Sequence, residues 1–80
     1  MRLTVLYFAR FREALGKDRD TVSGPFTTLD SVRQHLLAQG GYDVLGERNL
    51  MCARNEELCS LGEPVQDGDE VAFFPTVTGG

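Results

Sequence analysis

The residues that could most directly take part in a reaction are Gly79 and Gly80, the last two of the sequence. A free carboxylate on Gly80 is ionised at neutral pH, so its carbon is a poor electrophile until another enzyme activates it. Transfer of AMP from ATP supplies a good leaving group, and a sulfur nucleophile can then displace AMP to leave a thiocarboxylate. Gly-Gly alone is a weak motif, however, and an end with no role would look the same.

The segment that leads to these glycines contains no apolar periodicity after Pro75. We therefore expect a folded domain over residues 1–75 and a flexible tail over residues 76–80. Extended chain spans about 3.3–3.6 Å per residue, so a tail starting at Pro75 reaches about 20 Å beyond the domain. Because glycine lacks Cβ, the end of this tail is expected to enter a narrow pocket in a partner protein.

Three other residues are candidates for chemistry, and each has a simpler structural explanation. Cys52 and Cys59 are the only cysteines and lack a CxxC spacing or a second ligand pair, so we expect buried apolar side chains and no metal site. His35 falls on the polar side of a predicted helix and is expected to face solvent. We assign none of the three a catalytic role.

Length and charge exclude several functional classes. Eighty residues make one domain with a small core, too small for a large enzyme cleft. A net charge of −4 argues against binding to nucleic acid or to anionic lipid. No apolar run approaches the roughly 20 residues of a membrane span, and no signal-peptide pattern is present, so we expect a cytoplasmic protein.

Hydrophobic periodicity predicts an α+β fold with the element order β-β-α-β-β-β. One main helix is expected over residues 28–39, with Thr27 and Asp30 as the capping pair, and a helical turn is expected over residues 9–15. The strands are predicted at residues 2–8, 18–23, 50–54, 57–61 and 71–74. This order is compatible with the ubiquitin-like β-grasp fold, one helix on a mixed sheet of about five strands, although the pattern alone requires only a helix packed on a sheet.

Alternation along the first and last strands places two aromatic residues on the same side of the sheet. If Val71 and Phe73 face the helix, Phe74 points to the opposite face, and Phe8 has the outward parity of its own strand. Exposed aromatic residues on one face indicate a partner site. They could also simply cover the sheet surface of the monomer.

The segment from Asp67 to Gly80 closely resembles the C-terminus of the molybdopterin synthase small subunits, the MoaD type of sulfur carrier. Similar pieces lie upstream, at residues 6–9, 12–13, 32–35 and 53–55, so the resemblance covers nearly the whole chain. Two departures are Thr76, where the family usually has a second proline, and Arg54, where an apolar residue is expected. We expect Thr76 to loosen the exit of the tail.

The resemblance implies a β-grasp fold and a set of partners. An activating enzyme would use ATP to adenylate Gly80, and a persulfide donor would convert it to the thiocarboxylate; no cofactor is expected to be bound. The tail, including Val77, Thr78 and Gly79, would enter the large synthase subunit, where sulfur passes to cyclic pyranopterin monophosphate. Two small and two large subunits would form a heterotetramer.

The resemblance also implies that Phe8, Leu58 and Phe74 contact the large subunit. Three other functions stay open: a sulfur carrier for thiamin or tRNA thiolation, a ubiquitin-like modifier whose Gly80 joins a lysine, and a β-grasp interaction module with an inert tail. The Phe73-Phe74-Pro75 run argues against the thiamin and tRNA carriers.

Overall fold

A computed structural model describes residues 1–76 of the chain. It contains five strands, two α-helices and one 3₁₀ helix, in the predicted α+β order. The elements are β1 (Arg2–Tyr7), α1 (Arg10–Leu15), β2 (Arg19–Ser23), α2 (Leu29–Leu37), a 3₁₀ helix (Asp43–Gly46), β3 (Met51–Arg54), β4 (Glu57–Cys59) and β5 (Glu70–Phe74).

The five strands form one mixed sheet in the order β2-β1-β5-β3-β4. β1 and β5 lie side by side at its centre and are parallel, with Val5 opposite Val71 and Tyr7 opposite Phe73. The other three pairings are antiparallel. The first and last strands of the domain are therefore direct neighbours, and their carboxyl ends meet at one edge of the sheet.

Helix α2 begins one residue later than the sequence pattern indicated. Thr28, not Thr27, is the N-cap: its hydroxyl accepts a hydrogen bond from the Ser31 amide at 3.2 Å, and the Ser31 hydroxyl accepts one from the Thr28 amide at 3.1 Å. The prediction of a Thr27–Asp30 pair is wrong because the short Ser31 side chain takes the reciprocal role. Asp30 instead pairs with Arg33 at 2.9 Å.

The core lies between α2 and the inner face of the sheet. Leu29, Val32 and Leu36 are the buried residues of α2, and their spacing keeps them on one face of the helix. They belong to one apolar cluster with alternate residues of the central strands, and α1 adds Phe11. The cluster's strand residues are Leu3, Val5, Tyr7, Val22, Cys52, Val71 and Phe73.

Element boundaries differ from prediction where local geometry intervenes. β1 ends at Tyr7, one residue early, because the backbone turns sharply at Ala9. β4 ends at Cys59, and the connection predicted as irregular contains the 3₁₀ helix, which buries Leu45. β3 and β4 are joined by Asn55 and Glu56, both with positive φ, as a two-residue type I′ hairpin requires.

Arg54, which stands where an apolar residue was expected, forms an ion pair with a buried carboxylate. Its Nε donates to Asp69 Oδ2 at 2.6 Å, and the Asp69 carboxylate also accepts from the Asn55 side chain and the Gln66 amide. Asp69 is only 7% exposed. The Arg54 guanidinium, helped by these two donors and opposed by burial, lowers the pKa of the Asp69 carboxyl. The cluster ties β3 to the start of β5.

Asp69→Asn should lower the free energy of unfolding at neutral pH by about 1–3 kcal/mol, because Arg54 loses a buried charged partner. Since the pKa of Asp69 is lowered in the folded state, its stabilising effect is complete above the unfolded value of about 3.9 and is lost as pH falls through the folded value. Urea unfolding at about pH 7 and about pH 3 measures both effects. Asp18→Asn, at an exposed carboxylate, is the control; an equal loss at both pH values would contradict the assignment.

Candidate functional site

The outer face of the sheet carries a continuous apolar row across four strands. Leu6 of β1 lies opposite Ala72 of β5, Ala72 opposite Ala53 of β3, and Ala53 opposite Leu58 of β4. Because the two central residues are alanines, the row is low in the middle and forms a shallow groove. Leu58 stands at one end and is 67% exposed.

Two aromatic rings lie at the end of the sheet where the central strands β1 and β5 terminate. Phe8 is 45% exposed and Phe74 is half-buried. Their ring centroids are 6.3 Å apart with the planes at 79°, an edge-to-face contact. Both rings line the same groove as Leu58, so the structure brings together the three residues that were predicted as partner contacts.

Acidic side chains border this apolar surface. Glu56, from the β3–β4 turn, and Glu70, at the start of β5, line the groove together with the apolar residues. Glu70 lies on this face because side chains alternate along β5, and Glu70 shares its face with Ala72 and Phe74. The outer face, defined here as Leu6, Phe8, Ala53, Leu58, Ala72 and Phe74, is thus apolar with a negative rim.

The chain leaves the sheet beside Phe8 and Phe74. Pro75 is buried, and the Thr76 hydroxyl donates a hydrogen bond to the Asn49 carbonyl. A second shallow groove lined by Phe8, Ala9, Phe74, Pro75 and Thr76 continues from the outer face. The predicted insertion residues Val77, Thr78 and Gly79 and the predicted reactive residue Gly80 lie outside the described residues, as does most of the predicted tail.

Ala9, directly after Phe8, has a backbone conformation that is unfavourable for an L-residue, with φ 54° and ψ −135°. The chain must turn here from β1 into α1, and contacts on both sides fix the turn. The Phe11 ring is fully buried, and Arg10 forms a two-pronged ion pair with Glu47. The position of Phe8 is therefore held by a strained residue.

The three side chains rejected as catalytic residues lie on the helix side of the sheet or in its core. Cys52 is buried and Cys59 half-buried, both as free thiols. Within residues 1–76 no group of His, Cys, Asp and Glu is arranged to hold a metal ion. His35 was predicted to face solvent, but it is half-buried with its ring edge-on to Phe26 at 5.1 Å. That prediction is wrong because Phe26 folds under α2.

A polar cluster near the end of β1 was not anticipated. The hydroxyls of Tyr7 and Tyr42 donate to the Asp20 carboxylate at 2.8 and 2.7 Å, and Lys17 lies 3.3 Å from it. Burial and Asp20 raise the pKa of Tyr7. Burial acts to raise the pKa of the Asp20 carboxyl, but the hydrogen bonds from the two tyrosines and Lys17 outweigh it, so the pKa of Asp20 is lowered. Alternation along β1 predicts that Tyr7 shares a face with Leu3 and Val5, but nothing local in the sequence predicts Tyr42 as its neighbour.

Comparison with known sequences identifies the family. The sequence profile of the ThiS family matches residues 5–80. The chain belongs to the ThiS family. Among its relatives, the molybdopterin synthase sulfur carrier subunit of Escherichia coli (strain K12) is 45% identical over 80 residues, covering 98% of this chain and 99% of that protein. The resemblance inferred from the Asp67–Gly80 segment is confirmed.

Solved structures place this ThiS-family chain in the β-grasp fold, as predicted. SAMP1 from Haloferax volcanii superposes with a TM-score of 0.80 at 28% identity, with both chains covered completely. A chain in the complex of subunits 1 and 2 of the molybdopterin-converting factor from Helicobacter pylori 26695 superposes with a TM-score of 0.70 at 26% identity, again over 100% of both chains. Over residues 1–76, no helix is long and apolar enough to cross a membrane.

Ala9→Gly should raise the free energy of unfolding by about 1 kcal/mol, since relief of about 1–3 kcal/mol of strain exceeds the entropic cost of glycine. Ala14→Gly, at an exposed position in the last turn of α1, is the matched control and should lower stability by up to about 1 kcal/mol. Urea unfolding of both variants makes the comparison. If the two substitutions destabilise equally, Ala9 is not strained.

Proposed function

We propose that this chain is the sulfur carrier subunit of a molybdopterin synthase and that it delivers sulfur as a thiocarboxylate on Gly80. The observation that carries the proposal is the 45% identity, over nearly all of both chains, to the Escherichia coli protein of that name. The position of the tail exit supports it. Pro75 and Thr76 leave the sheet beside an apolar face, which suits a carrier that docks through this face and presents its end to a partner.

The sulfur is loaded in two steps that need other proteins. An activating enzyme transfers AMP from ATP to the Gly80 carboxylate, releasing pyrophosphate. In the second step the terminal sulfur of a persulfide donor displaces AMP to give an acyl disulfide, and a thiol then attacks the donor's sulfur, which forms a new disulfide and leaves the thiocarboxylate on Gly80. ATP serves the activating enzyme, and the chain itself needs no bound cofactor. We place these steps in the cytoplasm.

The loaded chain docks on the large synthase subunit through the outer face. Phe8, Leu58 and Phe74 supply exposed apolar surface within one groove, the arrangement of an interface anchor. Glu56 and Glu70 at the rim favour a partner with basic residues around an apolar centre. The Helicobacter pylori complex of subunits 1 and 2 supports a two-subunit assembly, for which we propose two small and two large subunits.

Sulfur insertion into cyclic pyranopterin monophosphate takes place in the large subunit. The tail carries Val77, Thr78 and Gly79 into that subunit, and the described residues of this chain offer no acid–base pair at the exit. His35 contacts Phe26, and Cys52 is buried in the core. A chain with a net charge of −4 is also poorly suited to hold a phosphate-bearing pterin. This chain supplies the sulfur and positions it in the large subunit, which supplies the catalytic groups.

A ubiquitin-like modifier is the second candidate function. Its support is the similarity to the small archaeal modifier protein 1 of Haloferax volcanii, which superposes with a TM-score of 0.77. In that case activated Gly80 forms an amide with a lysine of another protein. Mass spectrometry separates the two: sulfur-for-oxygen exchange on the free chain indicates a carrier, and isopeptide-linked products indicate a modifier. A carrier for thiamin or tRNA thiolation would differ only in its acceptor.

Adding one residue after Gly80, or deleting Gly80, should abolish thiocarboxylate formation because the reactive carboxylate is displaced or lost. Stability to urea should not change, since Gly80 belongs to the segment predicted as a tail. Mass spectrometry after incubation with activating enzyme, ATP and sulfur donor measures the product. Trimming the extended chain back to Gly80 is the control and should restore sulfuration. Full sulfuration of the extended chain would reject Gly80 as the reactive residue.

Phe74→Ala should weaken association with the large subunit at least about thirtyfold, since truncating a buried aromatic anchor typically costs 2 kcal/mol or more. Phe8→Ala, at a more exposed ring, should act in the same direction with less effect on folding. Gln34→Ala, exposed on α2, is the control and should bind normally. Calorimetry on variants with unchanged circular dichroism gives the affinities. Normal binding by both phenylalanine variants would exclude the outer face as the interface.

A further inference from the structure

The two cysteines are direct cross-strand neighbours in the β3–β4 hairpin. Cys52 and Cys59 are opposite each other in the antiparallel register, so their side chains lie on the same face of the sheet. Opposed residues in such a pair have Cα atoms about 4.5–5.5 Å apart. Disulfides span Cα separations of about 4.4–6.8 Å, so the two residues lie within bridging distance.

The hairpin fixes this pairing. The two-residue turn at Asn55 and Glu56 closes the strands directly after Arg54 opposite Glu57, which leaves the cysteines two positions further along. The Cys52 thiol donates to the Cys59 carbonyl at 3.2 Å, so its sulfur already points toward the opposite strand. Arg54 holds the strand end through Asp69.

The two thiols differ in access. Cys52 is 3% exposed in the core, whereas Cys59 is half-buried on the edge strand β4 and lines a surface pocket with Arg54 and Glu63. A dissolved reagent therefore reacts with Cys59 first, and Cys52 is the neighbouring thiol that can displace the reagent from the Cys59 sulfur. This is the arrangement of an attacking and a resolving thiol.

We propose that Cys52 and Cys59 are a redox-sensitive pair that closes to an intramolecular disulfide across the β3–β4 hairpin when a low-molecular-weight disulfide oxidant is present. The Cys59 thiolate attacks the oxidant, forming a mixed disulfide and releasing one thiol. The Cys52 thiolate then attacks the Cys59 sulfur and releases the second thiol. The two cysteines lose two protons and two electrons, and the oxidant's S–S bond becomes two thiols. The inference is independent of the proposed function.

The reaction should be slow at neutral pH, because the thiolate is the attacking species. Burial raises the pKa of the Cys52 thiol to about 12. Burial also raises the pKa of Cys59, with Glu63 adding to the effect and the Cys52 hydrogen bond and Arg54 opposing it. Oxidation is therefore run to equilibrium over hours.

The test uses the full chain in mixtures of oxidised and reduced glutathione, with acid quenching and mass spectrometry. The expected product is a monomer about 2 Da lighter than the reduced chain, in which proteolysis links the Cys52 and Cys59 peptides. Cys59→Ser should not form it. A product that keeps glutathione on Cys59, or that is a disulfide-linked dimer, would overturn the proposal.

A second arm separates positioning by the fold from simple proximity in sequence. The equilibrium constant for closing the disulfide should be at least about tenfold larger in the native chain than in concentrated urea, because the hairpin pre-orders the pair. By linkage, the oxidised chain should resist urea more than the reduced chain by the same factor. Equal constants in both conditions, or a less stable oxidised chain, would show that the fold does not favour the bond.

Discussion

The parallel pairing of β1 with β5 is the constraint on which the rest of the structure depends. Val5 opposite Val71 and Tyr7 opposite Phe73 are buried almost completely, so the pairing is fixed by the centre of the core. A slip of one residue would turn the apolar face outward. Because parallel strands end on the same side, this register brings Phe8 beside Phe74, and Pro75 and Thr76 continue next to both rings.

The two faces of the sheet serve different purposes because their residues differ in size. The inner face carries large side chains that pack on α2, whereas the outer face has alanines at positions 53 and 72, which leave a groove between larger apolar residues. Two devices hold this face in place. The ion pair between half-buried Arg54 and buried Asp69 fixes β3 against β5, and the strained backbone at Ala9 turns the chain directly after Phe8. Stability is given up at Ala9, next to Phe8, which we propose as a docking residue.

Much of the fold was predictable from the sequence, and all but one of the failures share a cause. Alternation and helical spacing are local, so they predicted the element order and the outward parity of Phe8 and Phe74. Contacts between distant segments were not predictable. The pairing of Tyr42 with Asp20, the packing of Phe26 on His35 and the partner of Arg54 all depend on how elements meet. The cap was missed for a local reason, since Ser31 can replace the acidic residue of the usual pattern.

We propose that sulfur passes from Gly80 of this chain to a pterin held by the large subunit. The most direct measurement uses the chain carrying ³⁵S in its thiocarboxylate, mixed with a large subunit and cyclic pyranopterin monophosphate in the absence of ATP and sulfur donor. We expect the label to move to the pterin dithiolene, with two carrier chains consumed per product because the product holds two sulfurs. Label that remains on the chain, with the two subunits shown to be associated, would contradict it.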